Sequence, residues 1–417
     1  MSQSDQVRFG RTPVLGLSER WSLARHNVGN PIIVVFSATL PRGLVSEIDL
    51  QEAVGQLSNQ YPMLKCAVQD RTTKEPKYRM MDAYDPKGIV SVSPLAQDMT
   101  LPQILLESVM RGVEFDADQG PLWEVQLHQA EHSYQRDQLI LIMDHIICDG
   151  VGSKNLFSEL LGQLSAPNAT SHVECTILPK RLDDFCDLKP LAQPTPRPSP
   201  PLHLKSFPGK QPGYSARTAS QQFFTFSVPR DRLSKLITAG KQHDVRTLHP
   251  ILYVAGLLAL YRATLPDSGR YFFGTATPFS HRDEADNPAC TGNYVTFHIK
   301  DEVILPNTRF WERTREFSEE LRHPETKQNT KRALGGFAAF SDVPVVEGSE
   351  RTGWEDAIDG LIDHVDGSHQ LAYVVSNVGV MKVPKEGKLA GVVQDVCFAQ
   401  TSSSHAGAFL NSVSLLC

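Results

Sequence analysis

Apolar residues fall along this chain in two rhythms: short unbroken runs, and positions three or four apart. The first rhythm predicts buried strands, and the second predicts helices that pack one side onto them. Pro31 to Leu40 (PIIVVFSATL) is such a run, and Ile48 to Tyr61 follows as a helix with Leu50, Ala53, Val54 and Leu57 at helical spacing. Lys65 to Val68 and Trp123 to Leu127 predict further strands. Leu139 to Met143 (LILIM) predicts a central strand, and residues 152 to 164 a helix with Leu156, Phe157, Leu160, Leu161 and Leu164 at its apolar positions. The pattern resumes beyond residue 214. Phe223 to Val228 predicts a strand and Arg230 to Lys241 a helix; Pro250 opens the next helix, since a first-turn proline gives up no needed hydrogen bond. Tyr271 to Thr277 and Tyr294 to Ile299 predict strands, and residues 308 to 321 a helix with Phe310, Thr314, Phe317 and Leu321 on one face. Leu371 to Val375 and Val392 to Phe398 predict late strands. Strands and helices mix in both halves, so the fold class is α/β or α+β with mixed sheets.

The rhythm breaks from about Leu178 to Tyr214, where PTPRPSPP and FPGKQPG crowd prolines that disfavour helix interiors and central strands. That stretch reads as a crossover linker, giving an N-terminal lobe at 1–177, the linker at 178–214 and a C-terminal lobe at 215–417. A chain of 417 residues also suits two units of about 200 residues better than one core. The net charge of -6 supplies no basic excess for phosphates, which excludes nucleic acid as the main partner and leaves room only for a local basic groove. The start, MSQSDQVRFGRT, has no apolar signal-peptide core, and the longest apolar run, the 11 residues from Ile251 to Tyr261, is too short to span a bilayer. The 7 cysteines form no close pairs in sequence and fit reduced thiols. The expectation is a soluble cytoplasmic protein.

Chemistry-bearing residues gather where the predicted central strand hands over to the predicted helix. LILIMDHIICDGVGSKNLF places His145 and Asp149 four residues apart, with Gly150 next. A histidine leaving a buried strand can act as a base near neutral pH, because its pKa already lies close to that range. A hydroxyl nucleophile needs this help. Asp149 is placed to brace the loop: a buried carboxylate needs a cation or several donors, which predicts an arginine partner elsewhere in the chain. It can also cap the helix that follows. Gly150 permits a tight turn or close packing. Cys148 invites a Cys–His nucleophile, but three residues across a turn leave the geometry open, and a buried structural cysteine is commoner. Metal binding by His145 and Asp149 lacks a third ligand nearby.

His145-Ile-Ile-Cys-Asp149-Gly150 resembles the HxxxDG motif of the CoA-dependent acyltransferase superfamily, which includes chloramphenicol acetyltransferase, peptide-synthetase condensation domains and alcohol acetyltransferases. Three further stretches resemble it in the expected order. IDLQEAVGQLSNQYPMLK (48–65) is similar to the family's early helix and its hP-L-R ending, with Tyr61 and Lys65 as departures. FDADQGPLWEVQL (115–127) resembles the F-D---GPL-r--L segment that leads into the active-site strand. TATPFSHRDE followed by GNYVTFHI resembles the R … GN-v region of the second lobe. The resemblance covers most of the chain. The first of the family's paired histidines is Asp144 here, and the DFGWG motif of plant acyltransferases is absent, which points to fungal-type alcohol O-acetyltransferases or condensation-like enzymes.

The resemblance implies two chloramphenicol-acetyltransferase-like lobes with mixed sheets and a tunnel between them. Donor thioester and acceptor enter from opposite faces and meet at His145, which takes the acceptor's proton without an acyl-enzyme. Asp149 is then expected to pair with Arg282, although HRDEAD around Arg282 reads by itself as a solvated loop. Ser376 and Asn377 (VVSNVG) match the family's S-N-G stretch and are expected to steady the oxyanion or orient the donor; their plain reading is a strand end in a turn. Asn293 and Gly150 join them as substrate- or donor-binding residues. The implied reaction moves an acyl group, acetyl first, from coenzyme A as co-substrate onto a hydroxyl of a hydrophobic small molecule such as a secondary metabolite. No bound cofactor and no metal are expected. A carrier-protein thioester supplied in trans is the alternative donor, and a cyclase or binding protein reusing the pocket is the second alternative. In ERWSLARHN near the start, Trp21 reads as core packing, with the tunnel mouth as the other place for Trp21 and His26.

Overall fold

The computed structural model describes residues 13–73, 75–166, 177–188, 205–207, 220–264, 271–284, 291–344, 349, 351–363, 371–401 and 406–416. Its first half runs α1 (Leu17–Asn27), β1 (Ile33–Leu40), α2 (Glu47–Gln60), β2 (Cys66–Gln69), β3 (Lys77–Met80), β4 (Val90–Leu95), α3 (Leu101–Val113), β5 (Trp123–Ala130), β6 (Asp137–Asp144) and α4 (Gly150–Ser165). The second half runs β7 (Lys205–Phe207), α5 (Arg230–Gln242), α6 (Leu248–Thr264), β8 (Tyr271–Ser280), β9 (Val295–Ile304), α7 (Phe310–Arg322), α8 (Pro324–Gly335), α9 (Gly353–Asp363), β10 (Leu371–Lys382), β11 (Gln394–Gln400) and β12 (Ala406–Leu416). The class is mixed α/β, as the two rhythms predict.

Five strands in the order β11-β1-β6-β5-β4 make the first sheet, mixed because β4 and β5 run parallel while the other pairs are antiparallel. All of β1 and all but Gln138 of β6 are buried, as unbroken apolar runs demand. Alternate side chains of β1 face opposite ways, so its two faces take different helices. Gly112 of α3 lies against Ile33 and Ile142, leaving no room for a side chain. Phe157 of α4 packs against Phe36, ring centroids 6.0 Å apart, on the other face. The second sheet runs β12-β10-β8-β7, with β9 antiparallel to β8, and its core joins Tyr253 and Leu257 of α6 to Phe317 of α7, Phe273 and Val375.

Sheet membership crosses the expected boundary between residues 1–177 and 215–417. Strand β11 comes from the second half yet pairs with β1, and its Phe398 stacks on Phe36 at 5.0 Å. In return α1 packs with Trp354, Ile358 and Ile362 of α9. Within the proline-rich stretch, Lys205–Phe207 forms an edge strand beside β8, where a proline-rich neighbourhood is tolerated. Residues 189–204 and 208–214 of that stretch lie outside the described residues. One expected strand does not form. Phe223 to Val228 pairs with no strand among the described residues, and Phe224 and Phe226 are 84% and 74% exposed. Apolar alternation makes a strand only where a neighbouring edge supplies the hydrogen bonds. No described helix is long and apolar enough to cross a membrane.

Candidate active site

Strand β6 ends at Asp144, whose N–H donates to the Leu122 carbonyl at 2.9 Å; the next N–H, of His145, donates to the Ile32 carbonyl at 2.9 Å. The main chain around His145 is therefore still anchored to its neighbours as it leaves the sheet. Helix α4 begins five residues later because Asp149 caps it, accepting the Gly152 N–H at 2.8 Å. Leu156, Phe157, Leu160, Leu161 and Leu164 are all buried, and each such side chain contributes about 1.5–3 kcal/mol. That burial fixes the helix, and the helix fixes the turn.

Asp149 meets both readings of it, the cap and the bridge. Its Oδ1 also accepts from Arg282 Nε at 3.1 Å, and its Oδ2 accepts the Tyr294 N–H at 2.8 Å. Both side chains are nearly inaccessible, at 3% for Asp149 and 5% for Arg282. Burial works against the Asp149 charge, but Arg282 and the two N–H donors outweigh it and hold the carboxyl below its ordinary range. Burial likewise opposes the Arg282 charge, and Asp149 outweighs that, raising the guanidinium. Arg282 further donates to the carbonyls of Gly292 at 2.7 Å and Thr291 at 3.3 Å and lies 4.8 Å over the Tyr294 ring. The Gly292 N–H donates to the Ile147 carbonyl at 2.8 Å, with φ at +90° and the Tyr294 ring 3.0 Å from where a Cβ would stand. Only glycine suits that position. The turn bearing His145 is thus stitched to residues 291–294 of the second half.

Asn293 completes the stitching. Its Nδ2 donates to the His145 carbonyl at 3.0 Å and to Ser22 Oγ at 3.3 Å. The same Nδ2 also lies 3.0 Å from His145 Nδ1, where the roles of donor and acceptor depend on the imidazole tautomer. His145 is 7% exposed. Burial lowers its pKa, with Arg25 adding to that and Asp149 and Asp144 opposing it, so the imidazole is neutral at pH 7.

Helix α1 supplies a wall that the apolar rhythm does not disclose. Besides Ser22, it brings the buried Arg25 and places His26 Nδ1 2.8 Å from Asp144 Oδ2. Trp21 stacks on Phe337 at 4.5 Å, the core-packing role. One residue beyond His26, Asn27 lines a cavity of about 330 Å³ with Arg71, Arg351, Glu355 and Asp359. Gly150 faces Val378 and Phe398, whose atoms would stand 3.2 and 3.4 Å from a Cβ. Ser376 and Asn377 lie on β10, and neither shares a hydrogen bond with His145 or Asp149 among the described residues; Asn377 Oδ1 accepts the Gly379 N–H at 3.0 Å. Lys154 of α4 donates to the Val378 carbonyl at 3.0 Å, tying β10 to the first turns of α4. Burial pushes the Cys148 thiol up to about 12, which removes it as a nucleophile. No cluster of three or more His, Cys, Asp or Glu suited to a metal occurs among the described residues.

The alcohol acetyltransferase family matches residues 106–197, a span that includes His145, Asp149 and Gly150. No curated protein matches the sequence. Among solved structures, the condensation domain of the monacolin K polyketide synthase MokA aligns over 97% of this chain and 89% of its own, with a TM-score of 0.61 at 12% identity. TRI3, the trichothecene 15-O-acetyltransferase of Fusarium sporotrichioides, aligns over 97% and 88%, with a TM-score of 0.61 at 12% identity. TRI101 of F. graminearum, solved with coenzyme A and deoxynivalenol, aligns over 95% and 91%, with a TM-score of 0.57 at 12% identity. The fold is that of two-lobed acetyltransferases and condensation domains. The family match across the HxxxDG segment and the shared fold both fit the CoA-dependent acyltransferase superfamily that the motif resembles.

Proposed function

We propose that the protein is an O-acyltransferase that moves an acyl group, acetyl first, from coenzyme A onto a hydroxyl of a hydrophobic small molecule, with His145 as general base. One observation carries this: His145 is buried and neutral at the end of β6, on the turn that Asp149 and Arg282 hold, and its Nε2 is taken as the unprotonated ring nitrogen. In the proposed step Nε2 takes the acceptor's O–H proton as that oxygen attacks the thioester carbonyl carbon. The tetrahedral oxyanion collapses, the C–S bond breaks, and the leaving thiolate recovers the proton from the imidazolium. Ser376 and Asn377 are assigned to the oxyanion or the donor, where one well-placed hydrogen bond lowers a barrier by about 2.7–4 kcal/mol. Asp149 and Arg282 act on His145 only through the turn that they hold. The lobes at 1–177 and 215–417 would flank the tunnel in which donor and acceptor meet.

Coenzyme A is favoured as donor by the likeness to TRI101, which was solved with it, and a hydroxyl acceptor by the family match. A carrier-protein thioester is the second donor, because a condensation domain aligns as well as an acetyltransferase does. The test is thiol release from acetyl-coenzyme A with a panel of lipophilic alcohols, comparing the unaltered protein with His145→Ala. Alcohol-dependent release lost in the variant, with ester found by mass spectrometry, supports the assignment. Release that survives the substitution removes His145 from the role.

A further inference from the structure

Asp144 is an unusual neighbour for a base. It is fully buried, adjoins His145 in the chain, and carries a charge that favours the protonated form of His145. Asp149 poses the same difficulty, and Arg282 answers it. Arg25, the other nearby cation, is turned towards Asn30, donating to its carbonyl and its side-chain oxygen. Asp144 Oδ1 accepts the Ile146 N–H at 2.8 Å, so one oxygen is spent on holding the turn. The other faces His26 Nδ1 at 2.8 Å.

We propose that His26 is a positioning residue for His145: seated on Asp144 as an imidazolium, it supplies the counter-charge that lets a carboxylate stand beside the base. The proposal rests on His145 being that base. The geometry suits the charged form of His26, because its Nδ1 stands 2.8 Å from a carboxylate that is itself buried. The groups that face the ring are Asp144 from the end of β6, Phe115 from the turn after α3, and Arg71 from the turn after β2. Burial opposes the charge and Arg71 adds to that, but Asp144 outweighs both and raises the pKa of His26. The groups that face His145 are Asp149 and Asp144 beside it and Arg25 from α1. Removing the His26 charge leaves Asp144 uncompensated there. His145 would then hold its proton more tightly and serve less well as a base at pH 7.

The test is a titration of [15N]histidine-labelled protein followed by NMR, with the His145 and His26 resonances assigned through His145→Gln and His26→Gln. In the unaltered protein His26 is expected to be doubly protonated at pH 7 while His145 is neutral. His26→Gln keeps an N–H for Asp144 and removes the charge, so the His145 pKa is expected to rise by about one pH unit. His26→Gln/Asp144→Asn removes both charges and is expected to return it towards the unaltered value. A neutral His26 at pH 7 overturns the proposal, as does a His145 pKa that ignores His26→Gln or stays raised in the double variant. If His26→Gln does not fold, the unaltered protein and Asp144→Asn still decide: Asp144→Asn must lower the pKa of His26, and no change refutes the pairing. These readouts need no substrate. Failed acyl transfer with the expected titrations would count against the proposed reaction, whereas normal transfer with flat titrations would count against His26.

Discussion

Replacing Asp149 with asparagine separates the charge of the site from its shape. Asparagine keeps an oxygen for the Gly152 N–H, so most of the capping contribution, about 1 kcal/mol, is retained. What disappears is the carboxylate beside Arg282, which stays buried next to the carbonyls of Thr291 and Gly292 and the Tyr294 ring. Leaving one charge of a buried pair uncompensated costs about 3–5 kcal/mol, so the charge effect should dominate. We expect Asp149→Asn to lose about 3 kcal/mol in urea unfolding followed by tryptophan fluorescence. Arg282→Met should lose a similar amount, since it strands the carboxylate instead. The double variant should lose at least about 2 kcal/mol less than the two single losses added together, because neither member of the pair then stands without the other. The sign of the pH effect follows from the depressed carboxyl. Its contribution is fully present above the unfolded value near 3.9, and it is lost as pH falls through the lower folded value. Asp149→Asn should abolish that part of the acid sensitivity. Additive losses in the double variant, or a single loss below about 1 kcal/mol, would refute the argument that this pair holds the turn.

Other consequences can be checked on the same preparations. Because burial lowers the pKa of His145, the acid limb of kcat/KM for acetyl transfer should fall below the ordinary histidine value near 6.5; a limb above it contradicts the neutral base. Cys148→Ala should keep acyl transfer within about tenfold and cost about 1 kcal/mol in urea unfolding, since its thiol is buried and pushed up to about 12. Gly292→Ala should cost about 1–3 kcal/mol and reduce acyl transfer, because φ is +90° and the Tyr294 ring blocks the added methyl; a stable, fully active variant would show that the turn can shift without harm.

The difference between Asp149 and Asp144 shows what such a sequence makes legible. Unbroken apolar runs locate β1 and β6, because a strand covered on both faces has nowhere to put polar residues. The helical spacing of Leu156 to Leu164 locates α4, and the join between β6 and α4 is then where His145 and Asp149 must stand. Phe223 to Val228 carries the same kind of signal and fails, because a strand depends on an edge that its own residues cannot specify. Helix α1 fails in the opposite direction. Its buried positions include Ser18, Glu19, Arg20, Ser22 and Arg25, so no apolar stripe marks it. Two of its polar side chains find partners far away in the chain, Ser22 with Asn293 and Asn27 with Glu355.

A buried carboxylate announces that it needs a cation wherever it stands, because an unpaired charge in a core is too costly to keep. For Asp149 a family motif said where that cation would come from, and Arg282 is there, in a run that otherwise reads as a solvated loop. Asp144 makes the same demand from the end of the same strand, but it is read only as a departure from the paired histidines, with no motif pointing to a partner. The partner lies 118 residues earlier, on a helix that lacks an apolar signature. The need is local and can be read from a few residues. The answer is a matter of tertiary structure, and it is at the answer that the proposed base would be tuned.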